Sequence, residues 1–105
     1  MTTIAGGVGI SGSTNGIGTA ARFNQPQALF FDGTNMYIVD RTNHSIRKMV
    51  LATGVVTTIA GTSGTPGFAD GTGAVARFNN PQGIATDGTS LYITDSLNHR
   101  LRKIQ

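Results

Sequence analysis

The chain has 105 residues, of which 15 are glycine and none is cysteine, and its formal net charge is +3. This length accommodates one domain, and the missing cysteine excludes a disulfide framework and thiolate chemistry. No apolar run approaches the roughly 18 residues that a membrane-spanning helix needs. The first residues do not resemble a secretory signal, so we expect a soluble protein of undetermined compartment.

An internal repeat dominates the sequence. Residues 2–6, Thr-Thr-Ile-Ala-Gly, recur as residues 57–61, and at this offset of 55 residues 25 of the 49 pairs between residues 2–50 and 57–105 are identical. Such a period is the signature of a repeat architecture. We therefore divide the chain into two units, about residues 1–55 and about residues 56–105, and expect them to fold alike.

Each unit contains short candidate strands bounded by turn residues. Asp87-Gly88 between apolar runs predicts a tight hairpin, since that turn needs a positive φ. The long loop before it contains one candidate helical turn, residues 74–78, with Thr72 as its cap and Phe78 filling a gap between the units. In chain order, the predicted strands are residues 2–5, 55–60, 83–86, 91–94 and 99–104. The last three have counterparts in the first unit.

The strands predict an all-β unit, a four-stranded antiparallel meander that is apolar on both faces. Met36 and Ile38 lie on one face of their strand, and Tyr37 and Val39 lie on the other. A sheet that is apolar on both faces has to be covered on both. Stacking such sheets radially covers them, which is the β-propeller solution.

The sequence resembles the NHL-repeat β-propellers over essentially its whole length, twice. The match rests on Phe78-Asn-Asn-Pro-Gln-Gly-Ile84, Asp87-Gly88 and the run Leu91-Tyr-Ile-Thr-Asp-x-x-Asn-His-x-Leu-Arg102, with Ser45 and Arg100 standing where the family name has leucine. The resemblance implies a six-bladed ring with four strands per blade. It also implies a protein- or RNA-binding module, with lyases and hydrolases among relatives of similar shape.

A second recurring motif invites a metal or acid–base interpretation. We favour a structural turn instead, because an aspartate that opens a turn accepts backbone N–H groups and asparagine tolerates the left-handed backbone. The residues of this motif are Asp40, Asn43 and His44 in the first unit and Asp95, Asn98 and His99 in the second.

Two further patterns lead us to expect no cofactor and no enzymatic activity. Gly7-Val-Gly-Ile-Ser-Gly12 matches a dinucleotide fingerprint, but Gly16 and Gly18 interrupt the helix that the mechanism needs. The resemblance places Asp32 and Asp87 in hairpins beside the central channel of the propeller. Related propeller hydrolases hold a metal at the channel end with side chains that include glutamate, whereas all five acidic residues here are aspartate. We expect no metal site and no catalytic residue set.

The basic residues do not predict a nucleic-acid surface. They alternate with apolar residues, the pattern of a solvated face, and no aromatic stacking platform accompanies them. We therefore expect weak, salt-sensitive attraction to nucleic acid at most. The residues concerned are Arg22, Arg47, Lys48, Arg77, Arg100, Arg102 and Lys103.

Two units are fewer than the three or so that repeat architectures need, so we expect the chain to assemble with itself. A head-to-tail contact closes into a ring, and we favour a six-bladed trimer over an eight-bladed tetramer. The strand at residues 2–5 of one copy should pair with an unpaired edge of the next, through Thr2, Thr3, Ile4 and Ala5 on one side and Leu101, Lys103 and Ile104 on the other.

The leading functional hypothesis is a non-catalytic, self-assembling propeller piece, either a two-blade fragment or a duplicated or designed protein. The alternative is a propeller module that binds a ligand, a protein or RNA, and the third hypothesis is a propeller hydrolase or lyase.

Overall fold

The computed structural model describes residues 2–7, 11–67, 70–71, 73 and 76–104. The described residues form two antiparallel sheets. In chain order the strands are β1 (Gly16–Ile17), β2 (Pro26–Phe31), β3 (Asn35–Asp40), β4 (Ser45–Val50), β5 (Val55–Gly61), β6 (Pro81–Thr86), β7 (Leu91–Asp95) and β8 (Arg100–Ile104). The all-β prediction is confirmed, and so are the predicted strands from residue 55 onward.

The first sheet has the strand order β1-β5-β4-β3-β2, so β2 to β5 form the predicted four-stranded meander and β1 adds to its outer edge. Two turns explain why the chain reverses where it does. Gly33 has φ +101° in the β2–β3 hairpin, and Gly54 has φ +77° between β4 and β5. Glycine adopts such angles without a steric cost. Pairing then places Met49 opposite both Met36 and Val56.

The second sheet repeats the first three strands of this meander in the order β6-β7-β8. Ile93 lies opposite Ile84 on one side and Arg102 on the other. Within the described residues no fourth strand follows β8. Residues 2–5 do not form a strand within the single chain, and their pairing with a neighbouring copy stays a prediction. Their counterparts in β5 pair with the preceding strand, β4. No described strand precedes residues 2–5.

Both faces of the first sheet bury apolar side chains, as expected from its apolar alternation. Between the two sheets lies a core of Val39, Ile46, Ala60, Phe78 and Ile93. Phe78 is only 1% exposed there, and full burial of such a side chain contributes about 1.5–3 kcal/mol. The predicted role of Phe78 between the units is therefore confirmed, while Thr72, Ala74 and Val75 of the predicted helical turn lie outside the described residues.

Part of the other face of the first sheet is covered by the chain's own first segment. Ala21 packs there with Met49 and Val56, and Ala5 and Phe23 pack against this cluster. The glycine-rich stretch that precedes Ala21 contains β1 and a 3₁₀ turn at Gly18–Ala20, so no helix follows the dinucleotide-like glycines. Residues 8–10 of that motif lie outside the described residues.

Candidate assembly interface

A buried polar network fastens each unit. The Asp40 carboxylate is fully buried and accepts three hydrogen bonds: from Arg47 Nη1 at 2.8 Å, from Asn43 Nδ2 at 2.6 Å and from the Asn24 backbone N–H at 2.8 Å. A buried carboxylate is tolerated only when it is paired and hydrogen-bonded in this way. The network ties β3 and β4 to the segment that leads into β2.

The Arg47 side chain is equally buried, and its two terminal nitrogens, Nη1 and Nη2, also donate to the loop that covers the sheet. It donates to the Arg22 carbonyl at 2.8 Å and the Thr14 carbonyl at 3.0 Å, and to Oδ1 of Asn15 at 2.9 Å. Its guanidinium carbon lies 5.0 Å from the centre of the Phe23 ring, within the range of a cation–π contact.

The second unit repeats most of this network among the residues that the structure describes. Asp95 accepts from Arg102 Nη1 at 2.7 Å and from Asn98 Nδ2 at 2.7 Å. Arg102 also lies 5.1 Å from the Phe78 ring and donates to Asp70 Oδ1 at 3.0 Å. Asp70 occupies the position that Asn15 holds in the first unit.

These contacts correct two sequence interpretations. Arg47 and Arg102 are not part of a solvated basic face, since both are buried in the network. In the turn motif, the left-handed residues are His44 and His99, each with φ 54°, rather than the asparagines. The signal was present in the sequence: both faces of the sheet were expected to be covered, so a cation on a central strand could not remain solvated.

The junction between the units combines apolar packing with hydrogen bonds, one of which involves a histidine ring. The backbone N–H of Asn80 donates to Nδ1 of His44 at 3.0 Å. An imidazole nitrogen that accepts a proton donor has to be unprotonated. Partial burial lowers the pKa of His44 below its ordinary value of 6.5, and the Asp95 carboxylate opposes this shift. The contact therefore belongs to the neutral form of the ring.

The second sheet has a face that points away from the first sheet. This face is exposed at positions whose counterparts in the first sheet are buried. Leu101 is 70% exposed, whereas Ile46, its counterpart 55 residues earlier, is 0% exposed in the core between the sheets. At the opposite end of the chain Leu29 is 61% exposed, while its counterpart Ile84 packs against that core. Each end thus presents the half of the junction that the middle of the chain has buried.

A cavity of about 730 Å³ lies beside β8. Its lining includes Arg102 and Lys103 of β8, Asp70 of the preceding loop, and residues of the first sheet such as Tyr37 and Ile59. In the first unit the same position, between β4 and β1, is filled by β5, with Val56 opposite both Met49 and Gly16. The cavity adjoins the vacant fourth-strand position of the second unit.

The two Asp-Gly hairpins hold their aspartates by turn hydrogen bonds. Asp32 accepts from the N–H groups of Thr34 and Asn35 at 2.9 and 2.7 Å. In the second unit, backbone N–H donors of Ser90 and Thr89, with the Tyr92 hydroxyl, lower the pKa of Asp87 to about 2. These carboxylates are ionised at neutral pH and occupied by their own turns.

A cleft of about 330 Å³ separates the hairpins, lined in part by Phe30, Tyr37, Thr86 and Leu91. No three histidine or acidic side chains come close enough to share a metal ion within the described residues, which are 2–7, 11–67, 70–71, 73 and 76–104. None of the helical turns described has the length and apolar character that a membrane crossing requires.

Comparison with known proteins follows the repeat pattern. No family model matches the chain. Human NHL repeat-containing protein 2 is 30% identical over 95 residues, which cover 87% of this chain and 13% of that protein. The chloroplastic protein SUPPRESSOR OF QUENCHING 1 of Arabidopsis thaliana is 34% identical over 118 residues, covering 99% of this chain and 11% of its own. This chain thus spans about a tenth of the length of these relatives.

A solved structure shows the same architecture. The crystal structure of an auxiliary nutrient binding protein from Bacteroides ovatus superposes with a TM-score of 0.87 at 34% sequence identity. The match covers 97% of this chain and 28% of the Bacteroides protein. Both described sheets therefore correspond to part of a larger solved protein.

Proposed function

Because the chain belongs to the NHL-repeat proteins, we propose that it is a non-catalytic building block of a β-propeller whose copies join head to tail into a ring and exchange a strand at each contact. The observation that supports this most is the vacant fourth-strand position beside β8. In the first unit that position is filled by residues 57–61, and residues 2–6 have the same sequence.

The register of the exchange follows from the first unit. There Lys48 lies opposite Thr57, Arg47 opposite Thr58 and Ile46 opposite Ala60. Shifted by one repeat, Lys103, Arg102 and Leu101 of one copy lie opposite Thr2, Thr3 and Ala5 of the next. Ile104 then faces the first residue, and Ile4, which is exposed in the single chain, takes the place of Ile59.

A side-chain contact supports the same register. Thr58 Oγ1 lies 3.2 Å from Asn15 Oδ1 in the first unit. Its counterparts are Thr3 of the incoming strand and Asp70. The Asp70 side chain is 82% exposed beside Arg102, so its carboxylate is accessible to the hydroxyl of a neighbouring copy.

The incoming segment already has the required shape. Gly6 has φ +88° and Gly61 has φ +83°. A Cβ atom added to Gly6 would lie 3.5 Å from the Phe23 ring, and one added to Gly61 would lie 3.1 Å from the Phe78 ring. The first segment thus lies against its own unit much as residues 60–61 lie against the second, and docking requires little rearrangement.

We expect native mass spectrometry to give a species of about three times the 10.9 kDa chain mass. Three copies supply six blades, inside the usual range of four to eight, and head-to-tail contacts leave no apolar face uncovered once the ring closes. A mass of four chains would change the blade number only. A monodisperse monomer would contradict the assembly.

Gly6→Ala separates assembly from folding. A Cβ on Gly61 would approach the His44 carbonyl oxygen to 2.4 Å, so the equivalent Cβ on Gly6 would collide with the His99 carbonyl of the neighbouring copy. Gly33→Ala is the matched control, since Gly33 has φ +101° with no atom within 4 Å of the added carbon. We expect Gly6→Ala, or deletion of residues 1–6, to abolish the ring, and Gly33→Ala to retain it. A Gly6→Ala ring as stable as that of Gly33→Ala would refute the strand exchange.

We also expect no turnover of lactones, esters or nicotinamide cofactors. The proposal is supported by the carboxylates of Asp32 and Asp87, which are engaged by their own turns, and by those of Asp40 and Asp95, which are buried in ion pairs. A hydrolytic rate that is lost in Asp32→Ala or Asp87→Ala would contradict it.

A binding module is the second candidate, favoured by the cleft between the hairpins. Its aromatic and hydroxyl lining suits a small polar ligand, and the Bacteroides ovatus relative is described as a nutrient binding protein. A ligand screen against the assembled chain, with Tyr37→Ala as the matched variant, tests this candidate independently of the assembly.

A further inference from the structure

The two ends of the chain carry a complementary hydrogen-bond donor and acceptor. The pair that joins the units consists of Nδ1 of His44 and the N–H of Asn80. The counterpart of His44 is His99, and the counterpart of Asn80 is Gln25. Within the described part of the chain, neither the His99 ring nor the Gln25 N–H has a hydrogen-bond partner, and both residues are exposed.

The backbone holds both groups in the conformation of the joined pair. His44 has φ 54° and ψ 44°, and His99 has φ 54° and ψ 43°. Asn80 and Gln25 have φ 50° and 56°. Residues other than glycine seldom adopt such angles, so their recurrence at both positions of both pairs shows that the open pair is built like the closed one.

We propose that Nδ1 of His99 in one copy accepts the Gln25 N–H of the next copy, so that the contact between copies forms at neutral pH and weakens in acid. This inference rests on the proposed ring. Protonation turns Nδ1 into a donor that faces another donor, and the hydrogen bond is replaced by a repulsive contact.

The direction of the effect follows from the charged groups around the ring. The Asp95 carboxylate of the adjacent unit favours the protonated form of the His44 ring. Arg41 lies in the same turn as His44. For His99 the corresponding groups are Asp40 of the next copy and Arg100 on its own strand. Burial outweighs the carboxylate and lowers the pKa of His44. At the contact between copies the accepting ring has to be unprotonated, so the separated state binds more protons and association weakens as the pH falls.

The contact between copies is more sensitive to acid than the contact within a chain. The His44 pair joins two sheets of one covalent chain, which stay together when a single hydrogen bond is lost. The His99 pair joins separate molecules, so its loss appears directly in the dissociation constant. An unpaired donor left at the contact weakens association by about tenfold per contact.

The test compares the wild-type chain with His99→Asn and His44→Asn by native mass spectrometry and light scattering at pH 7.5 and pH 5.0. Asparagine tolerates the left-handed backbone, and its Oδ1 can accept the same N–H without titrating. We expect the wild-type dissociation constant to rise by about tenfold or more at pH 5.0. His99→Asn should abolish this rise, and His44→Asn, the same substitution at the intrachain junction, should retain it.

Two results would overturn the inference while the ring stands. One is a wild-type ring of equal affinity at the two pH values, and the other is a His99→Asn ring as acid-sensitive as the wild type. A chain that is monomeric at both pH values overturns the ring and the inference together.

Discussion

Replacing Arg47 with methionine is expected to lower the free energy of unfolding by about 3–5 kcal/mol, the usual cost of removing one partner from a buried ion pair. The substitution leaves the Asp40 carboxylate buried at the centre of the first sheet, with Asn43 and Asn24 as its remaining donors. The whole free energy of unfolding of a small domain is about 5–15 kcal/mol. The loss is therefore a large fraction of the total stability, and the variant should unfold at a much lower urea concentration.

Lys48→Met is the matched control, because Lys48 follows Arg47 on β4 but is only half-buried and makes no described ion pair. We expect it to change stability by less than about 0.5 kcal/mol. Urea denaturation followed by circular dichroism measures both variants. Equal midpoints for the two methionine variants would show that the buried network does not stabilise the unit.

The second large effect is expected from Gly61→Ala. The residue has φ +83°, which costs a side chain about 1–2 kcal/mol. An added Cβ would also lie 2.4 Å from the His44 carbonyl oxygen and 3.0 Å from the Ser45 Cα. Both are backbone atoms, so the sheet has to distort, and overpacking of this kind costs about 1–3 kcal/mol more.

Gly88→Ala isolates the backbone part of this cost. Gly88 has φ +97° and no atom within 4 Å of an added Cβ, so only the conformational penalty applies. Thermal unfolding of the two variants should place Gly61→Ala well below Gly88→Ala. If both alanine variants melted at the same temperature, the close approach of β5 to His44 would have no energetic weight.

The repeat made most of the fold predictable. Strand positions follow from local alternation and from turn residues such as Asp87-Gly88, and both are properties of neighbouring residues. The packing of Phe78 between the sheets was also accessible, because Phe78 is the only aromatic residue of the predicted turn at residues 74–78 and phenylalanine is among the residues most often buried. These predictions needed no knowledge of what lies opposite each strand.

The failures concern partners that are distant in sequence. Arg47 is buried because Asp40, the Arg22 carbonyl and Asn15 converge on it, and no single stretch of sequence displays that convergence. The strand at residues 2–5 depends on a preceding sheet that the described chain does not contain. The His44–Asn80 contact was missed because the left-handed residue of the turn motif is His44 rather than Asn43.

The exchange of Asn15 for Asp70 gives the proposed ring a chemical marker for its seams. Around Arg47 the outer acceptor is a neutral amide, whereas around Arg102 it is an exposed carboxylate 3.0 Å away. Three blades would then be closed within one chain beside a neutral outer acceptor. The other three would be closed across copies beside an exposed ion pair. At an ionic strength near 1 M the screening length falls to about 3 Å. Concentrated salt would thus loosen alternate blades, and the proposed ring would respond to salt with threefold rather than sixfold symmetry.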